Sequence, residues 1–448
     1  RPGRRADRCI KMPKLTFKTQ THRIGREPPQ EVAGLALKGF IDAANYMGFE
    51  KALKRADGGS PRFLLIDFSL VNYINSTGIS ALIRFSELYK SRGGLLCLAG
   101  VSRSVGLSMH LLGVTSLIPF TQDVQSGRDY ISGFLDGKNP AMPASADASA
   151  DARAAEGTQR VAPPPRVPPE GQGAESHVLV LSPSATRFTQ VMEHRFTHLR
   201  GNYHMLSDAA EALRRFEEIA PDLVVLDERC DPAGDFVNKV KAKQKRSLTS
   251  VIKLYADQAA VSKQQEFKIW ENDYLVDPFE IQEFFALTEA ELVRVPKDRK
   301  VFSQQVRFDF QGKKECVENA YRLSDLIIRQ AMEEEDDIAS LYAAVKEGID
   351  NAVAHGNHGK DDQSVEVNFL VDNTKVTVLI EDQGTGFDFE YYLSKLNRED
   401  AFEEARKRIV EEGTRGGLGI LLMSRCADRL HYAGNGNILR LEKNITAN

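Results

Sequence analysis

Glu347, Asn351 and His355 recur at every fourth residue of LYAAVKEGIDNAVAHGN and so share one stripe of a helix. A carboxylate and an amide four apart can divide a task. The amide oxygen can ligate Mg²⁺, while the carboxylate orients or deprotonates a hydroxyl. Taken alone, the stripe reads equally as a solvated helix face. Further on, VTVLIEDQGTGFD ends a strand on Asp382, followed by Gly384 and Gly386. A carboxylate there can accept from an exocyclic amine, and glycines admit close backbone approach. A plain glycine turn is the simpler alternative. Then EEGTRGGLGILLMSRCAD sets Gly413, Gly416, Gly417 and Gly419 ahead of a helix. Free N–H groups at a helix N-terminus suit a phosphate. Two other places carry candidate phosphoacceptors. Asn75-Ser76-Thr77 lies where a strand hands over to a helix, a position that these residue types also occupy as helix caps. Asp227 ends the strand DLVVLD.

The elements that must position these groups fall into three blocks. The chain has 448 residues, 42% hydrophobic and 27% charged, which suits about three domains. A net charge of −4 argues against a general nucleic-acid binder. Cys9, Cys97, Cys230, Cys316 and Cys426 are scattered and odd in number, with no CxxC. They suit a reducing, cytoplasmic setting and offer no metal site. No apolar run is long enough to span a bilayer, and no membrane partner is expected. The sequence opens RPGRRADRCIKMPK, so Met12 reads as the start and residues 1–11 are set aside.

Before residue 136 the strands KLTFKTQTHRI, VAGLALKGFID, RFLLIDFS and GLLCLAGV alternate with the helices GFEKALKRAD, GISALIRFSELYKSRG and RSVGLSMHLLG. Residues 136–176, rich in Pro, Ala, Ser and Gly, read as a disordered linker. Residues 177–292 alternate again, as a doubly wound parallel sheet requires. A boundary is expected near VPKDRK, 295–300. The last block, 298–448, mixes long helices with a strand pair, as an α+β sandwich does. The fold class is thus multidomain α/β with a C-terminal α+β sandwich.

The C-terminal constellation resembles the GHKL ATPase superfamily. Glu347 and Asn351 match its N box, Asp382, Gly384 and Gly386 its first glycine box, and Gly417 and Gly419 its second. The resemblance implies ATP and Mg²⁺ as cofactors. Asp382 would bind the adenine amine, Asn351 would hold Mg²⁺, and Glu347 would be the catalytic base. Residues 388–412 would form the ATP lid, and Arg415 would reach the phosphates. Residues 296–354 contain no His, unlike a sensor histidine kinase. The expected end soon after NILRLEK points to the compact serine-kinase branch, which is similar to anti-sigma factors.

Residues 177–292 resemble a response-regulator receiver with its chemistry removed. Asp227 stands where the phosphoacceptor would be. Ser182-Pro183 replaces the acidic pair, Tyr255 the Ser or Thr, and Asp277 the Lys before Pro278. Without metal carboxylates and a phosphate-pairing cation, Asp227 lacks the help that phosphoryl transfer needs. A scaffold role is expected.

Residues 13–135 resemble a STAS domain, the anti-sigma-factor antagonist. INSTGIS lies where such domains carry a phosphorylated serine, so Ser76 matches the acceptor and Thr77 its neighbour. Asn75 stands in place of the usual Asp. The resemblance implies a partner-switching regulator whose serine kinase acts on a STAS domain, its own or a partner's. It extends the partners to a sigma factor and leaves a homodimer open. Two alternatives remain. One is a non-enzymatic ATP-gated scaffold in which Ser76 only caps a helix. The other is an atypical two-component protein that takes phosphate on Asp227.

Overall fold

The computed structural model describes residues 15–24, 30–41, 45–58, 61–136, 176–198, 202–262, 266–396, 401–411 and 418–445. The expected linker 136–176 lies outside them except at its two ends. Among the described residues no helix is long and apolar enough to cross a membrane.

The N-terminal block runs β1 (Thr16–Ile24), β2 (Gln30–Ile41), α1 (Tyr46–Asp57), β3 (Phe63–Ile74), α2 (Ser76–Ser91), β4 (Leu95–Ala99), α3 (Arg103–Leu111), β5 (Phe120–Thr121) and α4 (Val124–Leu135). The five strands form one sheet in chain order. β1 runs antiparallel to β2, and the other pairs are parallel. Successive strand residues face opposite sides, so β3 serves two cores. Leu64, Ile66 and Phe68 meet the side of α1 and α2, while Phe63 and Leu65 pack with Ile131 of α4. The short β5 and the helix α4 were not anticipated from the sequence.

The middle block runs β6 (His177–Leu181), α5 (Arg187–His198), β7 (Asn202–Leu206), α6 (Ala209–Ile219), β8 (Leu223–Asp227), α7 (Asp235–Lys241), α8 (Gln244–Ser247), β9 (Ser250–Tyr255), α9 (Gln258–Ser262), β10 (Phe267–Ile269), β11 (Asp273–Val276) and α10 (Ile281–Val301). Its parallel sheet has the order β7-β6-β8-β9-β11, the 2-1-3-4-5 order of a doubly wound receiver-type fold. Near-continuous apolar strands such as VLVL and LVVL bury both faces, with Leu179 and Val224 on one side and Val180 and Val225 on the other.

The C-terminal block runs β12 (Phe302–Gln311), α11 (Lys314–Ala331), α12 (Glu335–Asn351), β13 (Ser364–Asp372), β14 (Lys375–Glu381), α13 (Phe389–Leu396), α14 (Ala401–Glu411), α15 (Leu418–Cys426), β15 (Arg429–Ala433) and β16 (Ile438–Asn444). Its sheet has the order β10-β12-β13-β14-β16-β15. β13 alternates strictly, with Val365, Val367, Phe369 and Val371 buried on the helix-covered face. The middle and last blocks are not separated by a loop. α10 runs straight through 295–300, and β10 leaves the receiver-type block to pair with β12. An edge strand presents unpaired N–H and C=O groups, and β10 covers that of β12.

The first and last blocks share one continuous apolar core, in which α2 and α3 lie against α12 and α15. Lys346 of α12 is fully buried in this seam. Its Nζ lies 3.4 Å from the Tyr73 ring centroid, 4.3 Å from that of Tyr321 and 5.1 Å from that of Phe40. Aromatic faces attract a cation, and more strongly once water is excluded. Two of these rings come from one block and one from the other, so the ammonium ties them together. Tyr73→Ala is expected to lower the unfolding free energy by about 3–5 kcal/mol, the cost of truncating a large buried aromatic. Tyr73→Phe, which keeps a ring face, should cost much less; urea titration of both variants checks this.

Candidate active site

α12 is not a solvated helix. Ala343 to Asp350 are all buried, and Glu347 is 1% exposed. A buried carboxylate requires donors, and these come from the N-terminal block. The Ser76 backbone N–H donates to Glu347 Oε2 at 3.1 Å, and the Ser76 hydroxyl donates to Glu347 Oε1 in a short contact. Burial pushes the Glu347 carboxyl up, and the two hydrogen bonds from Ser76 only partly offset that. The candidate base and the candidate acceptor, 271 residues apart in sequence, are therefore hydrogen-bonded.

The opening of α2 explains why this hydroxyl is available. Asn75 is the N-cap, and its side-chain oxygen accepts from the Gly78 N–H at 2.9 Å. Capping is thus done by Asn75, which leaves the Ser76 side chain to turn outward to Glu347. The Asn75 amide nitrogen donates to Asp350 Oδ2 at 3.2 Å, and Asp350 also accepts from the Tyr321 hydroxyl.

Beside this contact lies a cavity of about 300 Å³ lined by Ser76, Thr77, Asn351, His355, Asp382, Gly386 and Gly419, with apolar walls from Ile380, Ile420 and Leu439. Apolar walls with a few convergent polar groups are what a nucleotide base requires. α12 ends in a π-helical turn, 352–356, that brings Gly356 against Asp382. A Cβ on Gly356 would lie 2.2 Å from the Asp382 carboxyl carbon, so only glycine leaves room. Asp382 accepts from the Gly384 N–H at 2.8 Å, and burial raises its carboxyl against that hydrogen bond and the nearby His358. Gly386 takes φ +78°, and a Cβ there would meet the Asn435 carbonyl oxygen at 2.0 Å. Gly419 begins the buried turn of α15, where a Cβ would lie 2.4 Å from Glu347 Oε1 and 3.2 Å from Asn351 Nδ2. Gly413, Arg415 and Gly417 lie outside the described residues.

Among the cavity-lining side chains Asn351 offers an amide oxygen, a donor type suited to Mg²⁺. Among the described residues no cluster of three His, Cys, Asp or Glu is arranged as a metal cage. That donor set fits Mg²⁺, which keeps several waters and takes one or two protein ligands beside phosphate oxygens. Within the expected lid, α14 packs on the N-terminal block. Arg406 Nη1 donates to Glu87 Oε1 at 3.0 Å, Phe402 lies over Gly113, and Ala405 and Ile409 are buried in the shared core.

Asp227 is remote in role as well as in sequence. Arg229 Nε and Nη2 donate to its two oxygens at 2.9 and 2.5 Å, and the Arg229 N–H donates at 3.0 Å. Burial pushes the carboxyl up, but the bonds from Arg229 prevail and hold it below the usual range. Ser182 donates to the Ser184 carbonyl. Sequence reading missed Lys346, Asp350 and Tyr321. A usable signal was present. Lys346, Glu347, Asp350 and Asn351 spread polar groups beyond one narrow stripe while the segment stays too apolar for a solvated helix, the mark of a helix buried against polar partners.

Residues 310–443 match the histidine kinase-like ATPase domain, and residues 27–127 match the STAS domain. The serine-protein kinase RsbW of Bacillus pumilus is 33% identical over 105 residues, 23% of this chain and 62% of that protein. The RsbW of Staphylococcus aureus is 30% identical over 112 residues, 25% of this chain and 67% of that protein. The chain thus spans about three fifths of the length of the first relatives it matches. A putative response regulator from Chloroflexus aurantiacus aligns over 27% of this chain and all of its own, at 19% identity and a TM-score of 0.23. An anti-sigma factor antagonist from Mycobacterium paratuberculosis aligns over 26% of this chain and 94% of its own, at 18% identity and a TM-score of 0.22.

With its carboxylate held by Arg229 and no acidic pair beside it, Asp227 should resist phosphorylation. Intact mass of the full chain after incubation with Mg²⁺ and acetyl phosphate should show no acid-labile phosphate at Asp227. An adduct there would refute the scaffold reading of the middle block.

Proposed function

We propose that this chain, whose C-terminal domain belongs to the histidine kinase-like ATPases and whose N-terminal domain is a STAS domain, is an ATP-dependent serine kinase acting on Ser76 of its own STAS domain. The observation that carries this reading is the Ser76 hydroxyl donating to the buried carboxylate of Glu347 at the edge of the cavity. Asp382 would receive the adenine amine, with Ile380, Ile420 and Leu439 against the ring. Asn351 would hold Mg²⁺, which when bound neutralises charge on the phosphates. Glu347 takes the Ser76 proton as Oγ forms its bond to the γ-phosphorus. The bond from that phosphorus to the β–γ bridging oxygen breaks, and ADP leaves. A carboxyl raised by burial is a stronger base than an ordinary glutamate, provided it is ionised. Thr77 also lines the cavity, but Glu347 accepts both its hydrogen bonds from Ser76.

The product would not fit the site that made it. A phosphoserine carries about −1.5 to −2 charge. It would sit beside the buried carboxylates of Glu347 and Asp350. Like charges at such burial repel strongly, so transfer would undock the STAS domain and uncover the faces of α12 and α14. A separate STAS protein, a sigma factor or another target would engage there. The receiver-type block acts as scaffold in this reading.

Four outcomes are expected. Incubation with Mg²⁺-ATP should place phosphate on Ser76, at a rate independent of protein concentration; loss of rate on dilution would mean transfer between chains. Glu347→Gln should keep ATP binding and lose transfer. Asp382→Asn should weaken ATP about 10- to 150-fold by calorimetry, the worth of a charged hydrogen bond. The rate should fall on acidification through an acid limb that lies above the ordinary glutamate value of 4.5, because burial raises the Glu347 pKa and only the ionised form accepts the proton.

A further inference from the structure

The buried contact next to the reacting pair has a polarity that can be read from its atoms. Asn75 is 2% exposed and Asp350 is 6% exposed. The Asn75 side-chain oxygen is committed to the Gly78 N–H at 2.9 Å, because only an oxygen can accept there. The orientation of the amide is thereby settled, and its nitrogen must face Asp350 Oδ2, at 3.2 Å. Asp350 is held in turn by the Tyr321 hydroxyl, so swinging aside would give up that hydrogen bond as well. The position before the acceptor serine is therefore asked for two things at once. It must accept in order to cap α2, and it must donate in order to meet Asp350.

Asparagine does both. Serine and threonine can cap but are shorter. Aspartate caps equally well, yet when ionised it has nothing to donate. It would set one carboxylate oxygen against another at hydrogen-bond distance in a buried seam, where two carboxylates cannot both stay ionised. The cost falls on docking and leaves the helix untouched.

We propose that the Asn75–Asp350 pair is a specificity determinant: it admits to the active site a STAS domain bearing an amide before its serine, this chain's own above all, and turns away one bearing a carboxylate. In its consequence for phosphoryl transfer this rests on the kinase reading above; in its consequence for docking it stands on the contact alone. Asp350 and Asn75 are positioning residues, since neither touches a reacting atom. The pair makes the chain a poor kinase for carboxylate-bearing STAS proteins while it remains a good one for itself.

The test is a double-mutant cycle on the full chain, read in two independent ways. Hydrogen exchange reports docking, because the Ser76 amide is protected by Glu347 from the other domain. Intact mass after Mg²⁺-ATP reports transfer. Asn75→Asp should speed exchange in the peptide that holds Ser76 by about tenfold or more and slow Ser76 phosphorylation in step, while keeping the Gly78 cap. Combining Asn75→Asp with Asp350→Asn restores one donor and one acceptor with their order reversed, and an amide oxygen at 350 still accepts from Tyr321. Protection should return to within about threefold of the parent. Equal protection in Asn75→Asp and the parent overturns the proposal, as does a double variant no better protected than Asn75→Asp. Should Asn75→Asp alone fail to fold, the double variant still decides, since it must be folded and protected. If the parent is protected at Ser76 but never labelled, the kinase reading fails and the docking result is still read from exchange.

Discussion

A carboxylate that is 1% exposed dictates the assembly around it. Glu347 sits in the buried C-terminal half of α12, and burying an ionisable group without donors is costly. Among the described residues its donors are the backbone and hydroxyl of Ser76, at the start of α2 in the other domain. The same seam holds an ammonium, Lys346, among rings from both domains, and a carboxylate, Asp350, against an amide. Glu347 and Asp350 each accept hydrogen bonds from the other domain, and Lys346 lies against rings of both. The two domains are therefore matched group by group and not merely pressed together by area. Removing one partner of such a pair leaves the other stranded, which is why buried polar contacts specify a register more than they add stability.

The remaining parts serve that seam. α14, in the segment expected as the lid, rests on α2 through Arg406 and Glu87 and buries Ala405 and Ile409 in the shared core. That helix is thus supported by the domain that carries Ser76. The middle block has the doubly wound strand order of a receiver-type fold. Arg229 occupies the oxygens of Asp227 that a phosphoryl group would need. What the block contributes is β10, which covers the edge of β12, and α10, which runs without a break into the last domain. Its core lies on the two faces of the sheet and not at the strand ends.

The alternation of strands and helices and the doubly wound middle block were legible before any coordinates. These are local: a helical stripe, a strand ending on an aspartate, a glycine before a helix. At the boundary expected at 295–300 the chain stays helical, with α10 continuing through Pro296 although proline disfavours a helix interior. β5, α4 and β10 were missed because short strands and an end helix carry little periodic signal.

Sequence alone determined which chemistries this chain can attempt. Residue types at helix and turn positions carry that information in windows of ten or so residues. It left Ser76 divided between cap and acceptor, since the local pattern is identical for both. Tertiary structure added what the local pattern lacks. It assigned the cap to Asn75, turned the Ser76 hydroxyl onto Glu347, and made Asp350 and Lys346 into partners for another domain. The reason is that the burial of Glu347 depends on residues 271 positions away, and hydrogen-bond direction across such a distance has no trace in local spacing.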